Sequence, residues 1–234
     1  MPGLDCPDLN ALRHHIGDCH RCPLAFLGRT QVVFGVGDPH ARVMLIGEGP
    51  GKNEDLQGEP FVGAAGQFLN ELLTHAGLER GEVYIANIVK CRPPGNRDPE
   101  PVEIDTCTPF LREQIRLIKP EILVTLGNFA TKLLRDDPTG ISRLHGTTHE
   151  RGRFTVMPVF HPAAAIYDRS KREALFDDFA RVAQVLAQKR AAGGEPAAQG
   201  AHSATEAPGD GAGTAEHSAT EAPGDGAEQP RLFP

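Results

Sequence analysis

Four short apolar runs rich in β-branched residues alternate along the chain with segments of helical periodicity. The runs cover residues 43–46, 83–89, 122–126 and 155–160. Apolar residues at helical spacing lie between and after these runs: Phe68, Leu69, Leu72, Leu73 and Ala76; Phe110, Leu111, Ile115 and Ile118; Phe129, Leu133 and Leu134; and Leu175, Phe179, Val182, Val185 and Leu186. Strands that alternate with helices predict a three-layer α/β/α sandwich around a mainly parallel central sheet. Such folds bind ligands at the carboxyl ends of their strands.

The charged residues are distributed unevenly. The chain of 234 residues carries a net charge of −7, which by itself disfavours a protein that binds nucleic acid through a basic surface. Residues 191–234 hold seven acidic residues and one basic residue, so −6 of this charge lies there and residues 1–190 carry only −1. Within that nearly neutral part, Lys90, Arg92 and Arg97 cluster after the second apolar run, where they suit contacts with phosphates.

The composition also predicts the domain organisation. Residues 1–190 contain all the apolar runs and predict one folded domain. Residues 191–228 are rich in Ala, Gly and Pro, and the sequence HSATEAPGDGA occurs twice with a period of fifteen residues. A segment with so few large apolar side chains cannot offset the entropy cost of ordering, so we expect an acidic disordered linker. Residues 229–234 form a separate C-terminal segment.

A glycine-rich loop, GEGPGKNED at residues 47–55, follows the first apolar run. A phosphate-binding P-loop would need glycine where Ile46 stands and serine or threonine where Asn53 stands. A dinucleotide-binding loop would need glycine at Lys52, and the carboxylate of Glu48 would repel a pyrophosphate. The loop instead suits the placement of Glu48 beside a water molecule or a developing cation, and a surface turn without chemistry is the alternative.

Three further residues stand close to predicted strand ends or helix starts. Phe61 precedes a predicted helix, and such a residue is more often part of the core than a stacking platform. Asn87 offers an amide that pairs with a nucleobase edge or, more commonly, caps the backbone. His161 ends the fourth apolar run, and Pro162 restricts its backbone to an extended conformation. A single histidine is usually structural, but this position at the rim of the sheet makes His161 an equal candidate for catalysis.

Four of the five cysteines are spaced as metal ligands. Cys19 and Cys22 form a C-x2-C pair in a polar stretch, Cys91 and Cys107 flank a proline-rich loop, and Cys6 is left over. Four thiolates fit either zinc or a [4Fe-4S] cluster, and the wide second pair favours the cluster because zinc ribbons usually supply two close pairs. The sequence shows neither a signal peptide nor a long apolar stretch, so we expect a cytoplasmic protein, in which disulfides are rare.

Five motifs then occur in order along the chain: GEGPGKNED, QGEPFVGAAGQ, ANIVKCRPPGNRDP, VTLGNFA and HPAAA. Together with the four cysteines, they resemble the family 4 uracil-DNA glycosylases, which are the iron-sulfur members of that superfamily. The resemblance runs from about Cys19 to Arg190. The KRRIH-like segment of related enzymes that trap DNA covalently does not occur in this sequence.

The resemblance implies a uracil-DNA glycosylase fold and hydrolysis of the N-glycosidic bond of uracil in DNA, a step of base excision repair that leaves an abasic site. Uracil flipped out of the DNA would stack on Phe61 and pair through its Watson–Crick edge with Asn87. Glu48 would orient water and stabilise the sugar cation, and His161 would donate to uracil O2. Further uracil-binding residues implied by the motifs are Gly49, Glu54 and Asn96.

The resemblance also implies the partners and the cofactor. The expected partner is uracil-containing DNA, single- or double-stranded, bound by a monomer associated with the nucleoid. A [4Fe-4S] cluster is expected on Cys19, Cys22, Cys91 and Cys107, with a structural role because hydrolysis transfers no electrons. Side chains expected to contact DNA, either by insertion into the helix or through phosphates, are Lys90, Arg92, Ile166, Tyr167 and Arg169.

The C-terminal segment predicts a second partner. Gln229, Leu232 and Phe233 fit the Q-x-x-L-F pattern of peptides that bind the bacterial sliding clamp. A flexible arm raises the local concentration of its two ends without new contacts, so this segment would keep the enzyme near replicating DNA. A frayed end without a partner is the alternative.

Two other functions are compatible with the residues. One is a non-catalytic iron-sulfur module that binds DNA or senses redox state, and the other is a nucleotide-handling α/β protein with structural zinc. The combination of Glu48, Asn87 and His161 at three predicted strand ends favours the glycosylase, because a protein that only binds needs no acid and histidine facing each other.

Overall fold

The computed structural model describes residues 4–166 and 168–192. Its α-helices are α1 (Leu9–Ile16), α2 (Lys52–Gln57), α3 (Ala64–His75), α4 (Pro101–Ile118), α5 (Asn128–Arg135), α6 (Ile141–Leu144) and α7 (Arg169–Ala192). Its strands are β1 (Val36–Gly37), β2 (Val43–Gly47), β3 (Tyr84–Asn87), β4 (Ile122–Leu126), β5 (His149–Arg151) and β6 (Phe154–Val159). Helix α7 includes the first two residues of the predicted linker. The rest of the linker and the C-terminal segment, residues 193–234, lie outside the described residues.

The six strands form one sheet in the order β1-β3-β2-β4-β6-β5. Strands β3, β2, β4 and β6 run parallel to their neighbours, whereas β1 and β5 pair antiparallel at the two edges. The predicted α/β fold with a mainly parallel sheet is therefore confirmed. Because the four central strands are parallel, their carboxyl ends meet at one edge of the sheet.

Alternate residues of each central strand pack into two different hydrophobic clusters, one on each face of the sheet. In β2, Met44 and Ile46 join the cluster formed with α1, α4 and α5, whereas Val43 and Leu45 join the cluster formed with α3 and α7. This alternation is the two-residue period of a β-strand buried on both faces. It explains why the predicted strands are apolar throughout, and it produces the three layers.

The apolar runs locate the central strands to within a few residues. The third run coincides with β4, whereas β3 ends at Asn87 rather than at residue 89. Beyond Asn87, the backbone N–H groups of Ile88 and Val89 donate to the backbone oxygens of Gly47, the last residue of β2, and of Glu48, at 2.9 and 3.1 Å. These bonds join the start of the loop after β3 to the end of β2 and the residue that follows it.

Several short elements carry no clear sequence signal. The edge strands β1 and β5 have two and three residues, none of them buried, so they lack the apolar runs that mark the central strands. Helices α1, α2 and α6 have at most eight residues. Among the described residues, no helix combines the length and the apolar character needed to cross a membrane.

Candidate active site

A cavity of about 440 Å³ opens where β2, β3 and β6 end. Its lining brings together the seven residues expected to catalyse the reaction or bind uracil, which come from separate segments of the chain: Glu48, Gly49, Glu54, Phe61, Asn87, Asn96 and His161. The cavity therefore lies at the edge of the sheet where the fold predicts ligand binding.

Asn87, the last residue of β3, presents an unused acceptor at this cavity. Its side chain is 2% exposed, and within the described part of the chain its Oδ1 has no hydrogen-bond partner. A Cβ added to Gly47 on the neighbouring strand would lie 2.4 Å from this oxygen and 2.9 Å from the Phe61 ring. Only glycine at position 47 leaves room for both side chains. A buried oxygen without a partner is costly, which makes it a site for a ligand that donates a hydrogen bond.

Phe61 forms an aromatic wall of the cavity. Its backbone has a φ of 55°, in the left-handed region that side chains rarely adopt. The following helix holds this turn closely, because a Cβ on Gly66 would overlap the carbonyl oxygen of Phe61. The ring lies 5.7 Å from the His161 ring, centroid to centroid, with a tilt of 32° between their planes. An unusual backbone conformation at a cavity is typical of a functional position.

Glu54 supports the Phe61 turn from the other side. Its Oε1 accepts hydrogen bonds from the backbone N–H groups of Val62 and Gly63, at 3.0 and 2.9 Å. One of the two carboxylate oxygens is thus committed to holding the loop. Glu54 also lines the cavity, so its expected contact with uracil stays a prediction, and the structure adds a role in positioning Phe61.

Glu48 is a carboxylate in a half-buried position. Burial, together with the negative charge of Asp98 across the cavity, raises the pKa of Glu48 to about 7. A carboxylate with such a pKa is half-ionised at neutral pH and holds a proton more readily than an ordinary glutamate. This is the range in which a side chain serves as a general base.

His161 is held as a neutral imidazole. Burial lowers its pKa to about 4, and the nearby charge of Glu54 opposes that shift only in part. The Nδ1 atom accepts a hydrogen bond from the backbone N–H of Ala163 at 3.1 Å. A neutral ring that accepts at Nδ1 carries its proton at Nε2, so that Nε2–H is the donor available to a ligand.

Comparison with known proteins agrees with this geometry. Residues 34–185 match the model of the uracil DNA glycosylase superfamily. The chain belongs to this superfamily. The type-4 uracil-DNA glycosylase of Archaeoglobus fulgidus is 40% identical over 190 residues, which is 78% of this chain and 95% of that protein. That of Sulfurisphaera tokodaii is 41% identical over 186 residues, 76% of this chain and 84% of that protein. A protein named DNA polymerase from Bacillus phage SP01 is 29% identical over 156 residues, 66% of this chain but 17% of that protein.

The expected contact of Lys90 with DNA is wrong. Lys90 is 1% exposed, and its Nζ donates to the backbone oxygen of Asn87 and to Oε1 of Gln114, at 2.7 and 2.6 Å. A side chain enclosed in this way cannot reach a phosphate of bound DNA. Arg97 is also unavailable as a free cation, because its guanidinium forms two hydrogen bonds with the buried carboxylate of Glu103.

The other expected DNA-contacting residues that the structure describes lie at the surface. Ile166 is 42% exposed, and Arg169 is exposed at the start of α7. Arg92 is half-buried, and its Nε donates to Oδ1 of the exposed Asn96 at 2.7 Å. Tyr167 lies outside the described residues. The contacts of these side chains with DNA stay predictions.

The four cysteines expected to bind metal lie on the face of the sheet that carries α1 and α4. Cys91 and Cys107 are buried there, and the half-buried Cys19 and Cys22 pack against the same cluster. Burial raises the pKa of the Cys91 thiol to about 12 and that of Cys107 to about 11, and the charges of neighbouring cysteines act in the same direction. Among residues 4–166 and 168–192, no three Cys, His, Asp or Glu side chains are gathered as ligands of a single metal ion.

Two further residues at the active site, Asp98 and Gly127, are not among those that the sequence predicts. Asp98 follows Asn96 in the same loop and shifts the pKa of Glu48, but an acid in a proline-rich loop has no signal of its own. Gly127 follows β4 with a φ of 94°, and a Cβ there would lie 3.1 Å from the Cβ of His161. Its position in the VTLGNFA motif, directly after a predicted strand, is the signal that could have identified it.

Proposed function

We propose that this chain excises uracil from DNA by hydrolysing its N-glycosidic bond, as the names of its type-4 relatives indicate. The observation that carries the proposal is the unpartnered, buried Oδ1 of Asn87 beside the Phe61 ring, in a cavity that also contains a neutral histidine and a glutamate with a raised pKa. A nucleobase must leave the stacked duplex to reach such a cavity.

Asn87 accounts for recognition of uracil. Uracil carries a hydrogen on N3 and a carbonyl at C4, so it donates to Oδ1 of Asn87 and accepts from the amide nitrogen. Cytosine has an unprotonated N3 and an amine at C4, so in the same pose Oδ1 would face the N3 lone pair and the amide N–H would face another donor. A site built around a hydrogen bond rejects an analogue that cannot form it. The Phe61 ring contributes stacking that does not depend on the base.

His161 and Glu48 account for bond cleavage. As the bond between C1′ and N1 breaks, its electron pair moves onto the uracil ring, and Nε2–H of His161 donates to O2, where negative charge develops. The ionised Glu48 stabilises the positive charge on the sugar and accepts a proton from the water whose oxygen bonds to C1′. The products are an abasic sugar and uracil, which takes up a proton from solvent.

The test is incubation of the metal-loaded full chain with oligonucleotides that contain a single uracil, cytosine or thymine, followed by alkali cleavage at abasic sites. We expect cleavage at uracil only, and Asn87→Ala to lower kcat/KM by on the order of a hundredfold. Asn10→Ala, which removes an exposed amide on α1, is the control and keeps full activity. Failure of the loaded wild-type chain to cleave uracil DNA, as inert as His161→Ala, overturns the proposal.

We also propose that Cys19, Cys22, Cys91 and Cys107 hold a [4Fe-4S] cluster. Zinc requires all four thiolates at about 2.3 Å from one atom, whereas a cluster takes one thiolate on each of four separated iron atoms. Neighbouring thiols that do not converge on one point therefore suit the cluster better.

The surroundings of these cysteines also fit the cluster. Arg29 Nε and the hydroxyl of Thr108, adjacent to Cys107, are buried without a partner among the described residues. Both are donors that cluster sulfur atoms would satisfy. When bound, the cluster would cross-link the N-terminal segment to the loop after β3 and to α4. Iron content and absorbance near about 400 nm test this assignment, and zinc without iron contradicts it.

The C-terminal segment supports a further proposal, that Gln229, Leu232 and Phe233 bind the bacterial sliding clamp. The support is the sequence pattern at the end of a long polar segment. Association with the clamp would concentrate the enzyme at replicating DNA in the nucleoid. Pull-down of purified clamp by the full chain tests it, and undiminished binding by the double variant Leu232→Ala, Phe233→Ala contradicts it.

A further inference from the structure

Lys90 is a buried cation without a carboxylate partner. Its side chain is 1% exposed, and no carboxylate among the described residues forms an ion pair with it. Its two hydrogen-bond acceptors, the backbone oxygen of Asn87 and Oε1 of Gln114, are both neutral. Burial of an ammonium group is costly unless an opposite charge accompanies it. A lysine in this position needs a source of negative charge nearby.

The cysteine site supplies that charge. The backbone N–H of Lys90 donates to the Cys107 sulfur at 3.2 Å, and the thiols of Cys107 and Cys91, once ionised, would act electrostatically on its ammonium. As free thiols these groups are neutral. Once four thiolates surround a [4Fe-4S] centre, the whole has an excess of two negative charges, and a buried cation beside it is stabilised.

The same ammonium group contacts a residue of the uracil pocket, which is the cavity lined by Glu48, Phe61, Asn87 and His161. It donates to the main-chain oxygen of Asn87, the residue whose side chain presents the unpartnered acceptor. Gln114, on the same helix as Cys107, accepts from Lys90 and donates to the backbone oxygen of Phe34 at 2.9 Å. A continuous set of buried hydrogen bonds thus connects the cysteine-bearing helix α4 with the carboxyl end of β3.

We propose that Lys90 is a positioning residue that couples the cysteine site to the uracil pocket. Its charge stabilises the thiolate-bound cluster, and its ammonium group fixes the strand end that carries Asn87. The inference rests on the proposed [4Fe-4S] site. It assigns the lysine to the interior of the enzyme rather than to the DNA-binding surface.

The test compares Lys90→Met, Lys90→Gln and Lys90→Arg in the full, metal-loaded chain. Loss of the charge in the methionine and glutamine variants should shift the reduction potential of the cluster downward and increase the rate of iron release to a chelator about tenfold. Lys90→Arg keeps the charge, so its reduction potential and its rate of iron release should stay close to those of the wild type. Glutamine retains a donor for the Asn87 oxygen, so its KM for uracil-containing DNA should rise less than that of the methionine variant.

Two further variants separate a specific role from general damage. Arg29→Met removes a second cation near Cys91 and Cys19, whose hydrogen bonds go to Asp18 and Cys19 rather than to Asn87, so it should lower the potential but raise KM less than Lys90→Met does. Lys132→Met, on α5, should change neither value. If the methionine variant does not fold, the glutamine and arginine variants carry the same comparison.

The outcomes are distinct from those that test the cluster. If the wild-type chain binds no iron, both the proposed cluster and this role of Lys90 are contradicted, whatever the glycosylase activity of the chain. A wild-type chain that contains iron, with Lys90→Gln at wild-type potential and wild-type iron release, leaves the cluster in place and overturns the role of Lys90.

Discussion

The uracil pocket and the cysteine site share one short stretch of chain, which contributes Asn87 to the pocket and Cys91 to the cysteine site. The two sites are nevertheless built differently. Close backbone approach at Gly47 and the strained turn at Phe61 hold the pocket side chains in place. At the cysteine site, burial instead raises the pKa of the Cys91 and Cys107 thiols, and no three ligands converge on one ion among the described residues. Packing alone forms the pocket, whereas the proposed [4Fe-4S] cluster would complete the cysteine site.

The largest effect on the pocket should follow loss of the histidine donor. His161→Ala removes the Nε2–H that faces developing charge, and we expect kcat to fall by about 10²–10³-fold. The substitution also removes the Nδ1 acceptor of the Ala163 N–H, an exposed cap contact worth about 1 kcal/mol, so the thermal midpoint should fall by only a few degrees. Single-turnover kinetics and a thermal scan measure the two values. A large drop in the midpoint would mean that His161 is structural instead.

Gly47→Ala tests whether close backbone approach forms the pocket. The added methyl group would lie 2.4 Å from Asn87 Oδ1, so the amide and the Phe61 ring must move. A displacement of this size should lower kcat/KM by about a hundredfold. The matched control is Gly77→Ala, at a glycine with no neighbour within 4 Å of an added Cβ and a φ of 67°. That control should cost some stability through backbone strain and leave kcat/KM unchanged, because Gly77 is not part of the cavity lining.

Cys107→Ser tests the other side of the comparison. Loss of one thiolate should release the bound iron and lower the thermal midpoint by roughly 5 °C or more, because metal binding contributes directly to folding. Cys6→Ser is the control, since the charges acting on Cys6 come from carboxylates and Arg116 and not from the other cysteines. Iron analysis and a thermal scan measure the effect. Equal iron content in both variants would contradict the assignment of Cys107.

The smallest effect concerns the pH dependence of the pocket. The proposed mechanism requires ionised Glu48, whose pKa is raised to about 7, so kcat/KM should fall about tenfold per pH unit below pH 7. His161, with its pKa lowered to about 4, stays neutral over this range and adds no second limb near neutrality. Glu48→Gln should abolish the dependence. An unchanged acid limb in that variant would assign the titration to another group.

The same shift affects stability. A pKa raised from 4.5 to about 7 means that the folded chain binds the Glu48 proton more tightly than the unfolded chain. The wild type should therefore lose stability relative to Glu48→Gln as the pH rises through this interval. The difference should be on the order of 1 kcal/mol at pH 8, after allowance for partial exposure, and should vanish near pH 4. Denaturant unfolding at both pH values measures it.

Much of this architecture could be predicted from local sequence. Apolar runs locate β2, β4 and β6 because a parallel strand buried on both faces must be apolar along its length. Asn87 and His161 lie at or just beyond the ends of β3 and β6. They line the same cavity because the carboxyl ends of parallel strands meet at one edge of the sheet. The edge strands β1 and β5 could not be predicted, because short strands without buried residues have no such pattern.

The sequence by itself therefore determined the fold class and the superfamily, and it predicted the loops that meet at the cavity. Only the tertiary structure decided that Lys90 is an interior cation, that Glu54 holds the Phe61 turn, and that Glu48 titrates near neutral pH. The physical reason is that a motif records which side chains follow a strand. Burial and hydrogen-bond partners depend on residues distant in the chain, such as Gln114 for Lys90 and Asp98 for Glu48.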